Sequence, residues 1–310
     1  MGSAARIAET AARVVSDAGG EVRVRAAAEQ ILVRDGRARG VRLASGEEIL
    51  APVVISDTGA RNTFLRLVPA DVPLPFRDDL RRIPTGMATV SLYVGLSRSP
   101  AALGVRGENF WIHEGFDQDA LWARRGETLA GAPPHVYLSF PSLKDPEARA
   151  HTAEIVTTVD AADFARWEGT AWKRRGAEYQ ALKDRIADGL LAAVEKRLSG
   201  FRDLVAYREL STPLTTGQFT AHPGGESYAI PWTPDRFHNR WLQVRTPVPG
   251  LLLTGADALM LGVVGTAMSG LMCAAAACGP ATFRRLRSEA HRLEVPATPA
   301  TRTATSPSTV

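Results

Sequence analysis

The segment best suited to bind a ligand lies near the C-terminal end, at residues 251–277 (LLLTGADALMLGVVGTAMSGLMCAAAA). An apolar strand leads into Gly255 and Asp257, a short loop follows, and Gly-Thr-Ala at residues 265–267 opens a helix of small residues. Because no bulky side chain shields that helix start, its free N–H groups can contact a planar or anionic ligand, and the helix dipole favours negative charge there. A glycine-rich turn before a tightly packed helix explains the same pattern, so both interpretations stay open.

The elements before this segment predict half of a nucleotide-binding domain. Apolar residues at helical spacing over residues 4–18 predict a helix that Gly19-Gly20 ends. β-Branched residues and an Asp35-Gly36 turn signal predict strands next. Those strands are 21–25, 28–33, 38–43, 47–50 and 52–56, and the last is expected to be buried on both faces. A helix, a meander and a buried strand in this order are typical of the second half of such a domain.

The middle of the chain predicts a second kind of structure. Alternating apolar residues at 87–96, 136–140 and 154–159 indicate an antiparallel sheet. Residues 177–198 carry apolar side chains at spacings of three and four, which predicts a long helix with one buried stripe. A buried strand returns at residues 251–254.

Composition excludes several classes of protein. The net charge of +4 comes from 37 basic and 33 acidic residues interleaved along the 310-residue chain. Nucleic-acid binding requires basic residues clustered on one face, so we expect no nucleic-acid partner. Cys273 and Cys278 lie in an Ala-rich run without metal-ligand spacing and are interpreted as small buried residues in a reducing compartment; no metal site is predicted. The N-terminus shows no secretion signal, which favours a cytoplasmic location.

One stretch has to be tested as a membrane span. Residues 258–279 contain no charged side chain and are long enough to cross a bilayer. Alanine, glycine, serine and threonine dominate the stretch, and their transfer into lipid gains little. We therefore expect a buried helix that packs closely against backbone or cofactor.

Three blocks of the chain resemble the phytoene desaturase, carotenoid isomerase and retinol saturase family of FAD-dependent oxidoreductases. Residues 19–56 are similar to the family's adenine-reaching strand, hairpin and following strand. Residues 212–215 (TPLT) and 224–228 resemble elements near its substrate cavity. Residues 251–277 resemble its C-terminal FAD motif, with Asp257 one residue later than in the desaturases, as in the retinol saturase-like branch.

The resemblance implies a mixed α/β (α+β) fold. A partial FAD-binding Rossmann-like domain of the glutathione-reductase type (residues 1–60 and 247–290) would accompany an antiparallel-sheet-and-helix substrate domain (61–246), with a disordered tail at 295–310. It also implies that Asp257 hydrogen-bonds the ribityl or pyrophosphate part of FAD, and that reduced flavin, negative at its N1/O2 edge, suits the helix start. The implied FAD-binding residues are Ala28, Gly255, Asp257, Gly265, Thr266 and Ala267.

The sequence departs from the family in one large respect. A G-x-G-x-x-G turn with a following helix binds the pyrophosphate in complete enzymes of this kind, and the motif does not occur in this sequence. The family would place it upstream of Met1. The expectation is a truncated gene product, a split enzyme or a misplaced start, with an N-terminal FAD-binding polypeptide or homologue as a partner.

The implied reaction is hydride transfer between flavin N5 and a carbon of a lipophilic polyene. The resemblance also implies an apolar substrate tunnel in the middle region and peripheral membrane contact at the mouth of that tunnel. Aromatic side chains would line the substrate tunnel, although core packing explains most of them equally well: Phe110, Trp111, Phe116, Trp122, Phe219 and Tyr228. No catalytic acid or base is assigned. Alternatives are a flavin amine oxidase, a redox-neutral polyene isomerase, and a non-catalytic remnant that binds lipid or a partner without flavin.

Overall fold

A computed structural model describes residues 5–292 of the chain and has a mixed α/β fold, as the sequence predicts. Its α-helices are α1 (Ala5–Asp17), α2 (Arg77–Arg82), α3 (Gln118–Ala123), α4 (Pro141–Lys144), α5 (Ala177–Arg197), α6 (Pro213–Thr220), α7 (Gly262–Cys278) and α8 (Ala281–Arg292). Its strands are β1 (Ala28–Arg34), β2 (Arg37–Leu43), β3 (Glu48–Leu50), β4 (Val54–Ser56), β5 (Ala88–Leu96), β6 (Phe110–His113), β7 (His135–Ser139), β8 (His151–Val159), β9 (Val205–Ser211) and β10 (Leu251–Leu253).

The larger core is built on a five-stranded antiparallel sheet in the order β6-β7-β8-β5-β9. Alternate residues of β5 and β8 are buried, as the period of two in a strand requires when one face is covered. Helix α5 covers that face with a buried stripe that includes Ile186, Leu190 and Val194. The other face of the sheet carries polar and aromatic side chains, including Tyr93, Tyr207 and Glu209, which line a groove described below.

The second core joins the two ends of the described chain. Strands β4 and β10 pair in parallel, with Val54 opposite Leu251 and Ser56 opposite Leu253. The meander β1-β2-β3 packs nearby, and its Ile31 belongs to the same apolar cluster as Phe64, Leu80 and Ile230. The two-part domain division inferred from the sequence stays a prediction, with the added observation that residues around 64–80 and 230–248 pack in this second core.

Most predicted elements are confirmed to within a few residues, and four expectations are wrong, the fourth being the burial of the helix described in the next paragraph. Residues 21–25 form no strand, and Val22 and Val24 are exposed, because they have no strand to pair with in the described part of the chain. Strand β4 buries Val54 and Ser56 but leaves Ile55 about half exposed, so it is covered on one face only. Cys278 is exposed, whereas Cys273 is buried as expected.

The stretch tested as a membrane span forms α7, which begins at Gly262 and not at residue 265. The expectation that this helix is buried is wrong, because only Gly265, Ser269 and Cys273 are buried among its described residues. Across residues 5–292, no helix is both long and apolar enough to cross a membrane. The predicted tail at 295–310 lies outside the described residues.

Candidate functional site

The candidate site lies where the parallel strands β4 and β10 end. Asp57 directly follows β4, and Gly255 and Asp257 follow β10. Ligands of open α/β sheets bind in the crevice outside the carboxyl ends of parallel strands, so these residues occupy the expected edge. Helix α7 begins a few residues later and completes the site.

Asp257 is buried and accepts two backbone hydrogen bonds. Its Oδ2 accepts from the N–H of Ala60 at 2.6 Å, and its Oδ1 accepts from the N–H of Ile230 at 2.9 Å. The side chain is only 3 % exposed. Asp257 therefore links the end of β10 to the turn after β4, through Ala60, and to the segment that contains Ile230. This structural role does not depend on a ligand.

The buried guanidinium of Arg236 lies beside this carboxylate, 3.6 Å from Asp257 Oδ1. It donates to the carbonyl oxygens of Ile230, Ala256 and Asp257 at 2.7 to 3.0 Å. Burial lowers the pKa of Arg236, and the charge of Asp257 opposes that shift. The pair thus holds the loop after β10 through three carbonyl oxygens and one carboxylate.

Asp57 is a residue that the sequence reasoning missed. Its carboxylate forms no hydrogen bond or ion pair within residues 5–292, although it is held close to Gly255. Partial burial, followed by the charge of Asp257, raises the pKa of Asp57 above its ordinary value, and His222 opposes the shift. A polar residue directly after the buried strand at 52–56 was the signal available in the sequence.

Gly255 is required by this geometry. Its φ of 82° lies in the left-handed region that favours glycine, and a Cβ atom there would collide with Asp57 Oδ1. The glycine thus lets two carboxyl-bearing segments approach closely at the edge of the sheet. This structural reason stands beside the predicted role of Gly255 in cofactor binding.

The three small residues at the start of α7 face different ways. Gly265 is buried, and a Cβ atom there would lie 2.6 Å from the carbonyl oxygen of Met260, so its small size serves packing. Thr266 Oγ1 donates to the carbonyl oxygens of Gly262 and Val263, both at 3.0 Å. Ala267 is exposed and is the residue of the three most available to a ligand.

Ala28, the predicted FAD-binding residue on the strand that would reach the adenine, lies in another sheet. Ala28 begins β1 and pairs with Leu43 of β2. A groove of about 400 Å³ runs beside it, lined by residues 21–27 and 43–47 except Gly46. Roles for Ala28 and the other predicted FAD-binding residues stay predictions.

The predicted substrate aromatics separate into different places. Phe219 lines a groove of about 990 Å³ between α5, α6 and the open sheet face, where it contacts Trp172 edge-on at 5.1 Å between ring centres. Trp111 packs against Tyr137 on the far strands β6 and β7, and like Tyr228 it does not line that groove. These substrate-lining roles also stay predictions.

A second buried ion pair, between Arg61 and Glu226, lies next to Ala60, the residue whose N–H donates to Asp257. Glu226 lies 3.2 Å from Arg61, which also donates to the carbonyl oxygens of Ile83 and Pro84. Burial raises the pKa of Glu226, and Arg61 opposes the shift. Among the described residues, no group of three or more His, Cys, Asp and Glu side chains could hold a metal ion.

A parallel strand pair with a Gly-Ala-Asp turn and a small-residue helix at its carboxyl edge defines a Rossmann-like α/β protein. Comparison with known proteins gives the family. The chain is 32% identical over 291 residues to the all-trans-retinol 13,14-reductase of Danio rerio, covering 88% of this chain and 48% of the relative. It is 27% identical over 282 residues to the prolycopene isomerase of Daucus carota, covering 88% and 43%.

The chain is thus a homologue of the retinol 13,14-reductases and prolycopene isomerases, in the phytoene desaturase-like family, and it spans about half the length of these relatives. An inactive all-trans-retinol 13,14-reductase of Danio rerio is also 27% identical over 298 residues, covering 88% of this chain and 48% of the relative. No family model matches. The structure of an oxidoreductase from Methanosarcina mazei aligns with a TM-score of 0.47 and 16% identity, covering 83% of this chain and 50% of that chain.

Proposed function

We propose that this chain is the flavin-contacting and substrate-binding part of an FAD-dependent oxidoreductase that acts on carbon–carbon double bonds of a lipophilic polyene. The observation that carries the proposal is the similarity over 88% of the chain to retinol 13,14-reductases and prolycopene isomerases. Both names describe reactions at the double bonds of a conjugated polyene. The family's enzymatic character supports an enzyme here.

The residues at the strand edge fit an FAD molecule. Asp57 offers a carboxylate without a partner in the described part of the chain, which suits the hydroxyl groups of a ribityl or ribose unit. Helix α7 has no side-chain cap at its start, so its first N–H groups are free for an electron-rich ring edge. Ala267 and the glycines nearby leave room for a planar ring.

When bound, FAD would supply hydride transfer at its N5 atom. The residues of this chain would bind and orient the ring and the polyene and would exclude water from between them. Asp57, Gly255 and Asp257 would set the position of the ribityl end, and the start of α7 would set that of the ring.

The pyrophosphate site would come from another segment. The sequence contains no G-x-G-x-x-G turn, and the curated relatives are about twice as long as the part this chain matches. We infer that an N-terminal FAD-binding polypeptide or segment completes the cofactor site. Its absence from an assay should weaken FAD binding without abolishing contact at the ring.

Turnover is the test of the substrate class. The chain would be produced together with the upstream half of the Danio rerio reductase, loaded with FAD, and incubated with all-trans-retinol or prolycopene under reducing conditions. A saturated or isomerised product on chromatography, lost in Ala267→Trp, supports the proposal. Absence of product from a complex that holds flavin would oppose it.

Two other functions have specific support. The inactive Danio rerio homologue favours a non-catalytic protein that binds lipid or a partner, and the prolycopene isomerases favour a redox-neutral isomerase. Product analysis separates them: a reductase consumes reducing equivalents, an isomerase does not, and a non-catalytic homologue gives no product. The flavin amine oxidase alternative would instead release an aldehyde from an amine.

A further inference from the structure

The groove beside α5 combines apolar walls with unneutralised positive charge. Its volume is about 990 Å³, at the upper end of the range of about 300 to 1,000 Å³ for small-molecule sites. Four aromatic side chains that line it are each at least two-fifths exposed: Tyr93, Trp172, Tyr207 and Phe219. Such a concentration of exposed rings marks a surface that an apolar ligand can cover.

One wall of the groove carries an incompletely paired guanidinium. Arg175 lies over the ring of Tyr179 at 5.3 Å, and its only side-chain hydrogen bond within residues 5–292 is a long one, 3.4 Å from Nη2 to the carbonyl oxygen of Leu214. Its Nε is buried and has no hydrogen-bond partner within residues 5–292. A buried donor without an acceptor is costly. The side chain of Arg175 also lines the groove, and its Nη1 forms no hydrogen bond within residues 5–292, so an anionic group in the groove can pair with that end of the guanidinium.

The charges around Arg175 favour an anion as well. Within the described residues, neither Lys173 nor Arg175 forms an ion pair, whereas Lys183 pairs with Glu209 at 2.7 Å. The groove therefore keeps two uncompensated positive charges. Arg175 can grip a carboxylate with two parallel hydrogen bonds, a geometry that a lysine cannot offer.

The start of α5 opens onto the same place. Gly176 and Ala177 line the groove, and the 21-residue helix has no side-chain cap at Gly176. Its first N–H groups and the positive end of its dipole thus add to the charge of Arg175. Helix start, guanidinium and aromatic walls are three independent features that converge on one groove.

We propose that this groove binds an apolar chain that ends in a carboxylate, with the carboxylate at Arg175 and the start of α5 and the chain against Phe219 and Trp172. This names a substrate class for the proposed function and rests on it for the view that the ligand is a substrate. Binding itself needs no flavin, so the two proposals can fail separately.

The test uses the full 310-residue chain without flavin and two fluorescent probes, cis-parinaric acid and the alcohol with the same polyene chain. We expect the acid to bind about tenfold more tightly than the alcohol, the ratio typical of a charge-assisted hydrogen bond. In Arg175→Gln this preference should disappear while the affinity for the alcohol is unchanged. The control, Arg174→Gln, changes an exposed neighbour that does not line the groove and should keep the preference.

A second pair of variants tests the apolar wall. Phe219→Ala should weaken the binding of acid and alcohol alike, and Phe237→Ala, which removes an equally exposed ring outside the groove, should weaken neither. Because the acid-to-alcohol ratio is compared within each variant, a partial loss of folded protein does not imitate the Arg175→Gln result; for Phe219→Ala and Phe237→Ala, circular dichroism measures the folded fraction to which the affinities are referred. Equal affinity for the two probes, an unchanged preference in Arg175→Gln, or no binding of either probe to the unmodified chain would each overturn the proposal.

Discussion

Asp257, which the sequence predicts to bind a ligand, also stabilises the fold. Its carboxylate accepts from two backbone N–H groups that lie far apart in sequence, and it is the counterion of the buried Arg236. Removing one partner of a buried ion pair leaves a charge uncompensated in a place that water does not reach. Loss of Asp257 should therefore damage the protein even when no ligand is present.

We expect Asp257→Asn to lower the free energy of unfolding by about 3 kcal/mol, the typical cost of breaking a buried pair. Urea denaturation followed by circular dichroism measures it. The matched control is Asp235→Asn, an exposed aspartate near Arg236, which should change the same quantity by less than about 0.5 kcal/mol. Similar effects of the two substitutions would mean that Asp257 has no structural role.

A side chain at position 255 would destabilise the protein in two ways, through its left-handed backbone conformation and through a collision with Asp57. Gly255→Ala should destabilise by about 1 kcal/mol for the left-handed backbone, and by more for the collision with Asp57. Gly46→Ala isolates the first cost, because Gly46 has a φ of 88° and open space around it. In urea denaturation the excess of Gly255→Ala over Gly46→Ala should vanish when Asp57 is also replaced by Ala; an excess that persists would show that another contact is responsible.

The carboxyl of Asp57 should make stability depend on pH. Partial burial and Asp257 raise its pKa in the folded state, so between its unfolded and folded pKa values the folded protein binds more protons and loses stability as pH rises. We expect Asp57→Asn to be more stable than the unmodified chain at neutral pH, with the gain disappearing as pH falls to the unfolded pKa of about 4. Urea denaturation of both proteins at several pH values measures this. A difference in free energy of unfolding between Asp57→Asn and the unmodified chain that does not change with pH would contradict the assignment.

At the residue scale, the sequence could identify positions but not partners. Gly255 and Asp257 could be singled out because they follow a buried strand, and the structure places them at the carboxyl edge of the sheet. Sequence could not reveal that Asp257 faces the backbone of Ala60 and Ile230, since those segments meet only in the folded chain. Asp57 was missed for the same reason, because its importance comes from its closeness to Gly255.

At the scale of elements, two helices have apolar faces that the described residues do not cover. Helix α7 carries no charged side chain, yet only Gly265, Ser269 and Cys273 are buried. Helix α1 has an apolar stripe, and none of residues 5–17 is buried. A helix that is apolar all round is normally enclosed, so α7 has an uncovered apolar surface within the described residues.

The exposed stripe of α1 gives a prediction about stability. Ile7→Lys should change the free energy of unfolding by less than about 0.5 kcal/mol, because Ile7 is 63% exposed. Ile186→Ala on α5 should lower it by about 3 kcal/mol, because Ile186 is fully buried in the larger core. Urea denaturation compares the two. A large loss of stability in Ile7→Lys would mean that α1 packs onto the rest of this chain.

Secondary structure was predictable where an element with a clear apolar periodicity packs against elements close to it in the sequence. The meander, the long helix α5 and the strands β5, β7 and β8 follow their apolar periodicity. Residues 21–25 have the composition of a strand but lack a strand to pair with, and Arg23 instead forms ion pairs with Glu21 and Glu47. Composition cannot tell whether the neighbouring strand is present.

At the scale of the whole molecule, the described residues form two apolar cores. The five-stranded antiparallel sheet packs on α5 and comes from one stretch of the sequence, so its architecture could be predicted. The second core joins β4 to β10 across nearly two hundred residues, and its parallel pairing could be inferred only from the resemblance to a family.

The central claim is that this chain contributes the flavin-contacting part of an FAD site, and titration with FAD tests it most directly. Flavin fluorescence would be followed as the purified chain is added, with Ala267→Trp to fill the start of α7 and Ala206→Trp as a control at an exposed position on β9. We expect weak but saturable quenching by the unmodified chain and by Ala206→Trp, and none by Ala267→Trp. No saturable quenching by the unmodified chain, or equal binding by both variants, would contradict the claim.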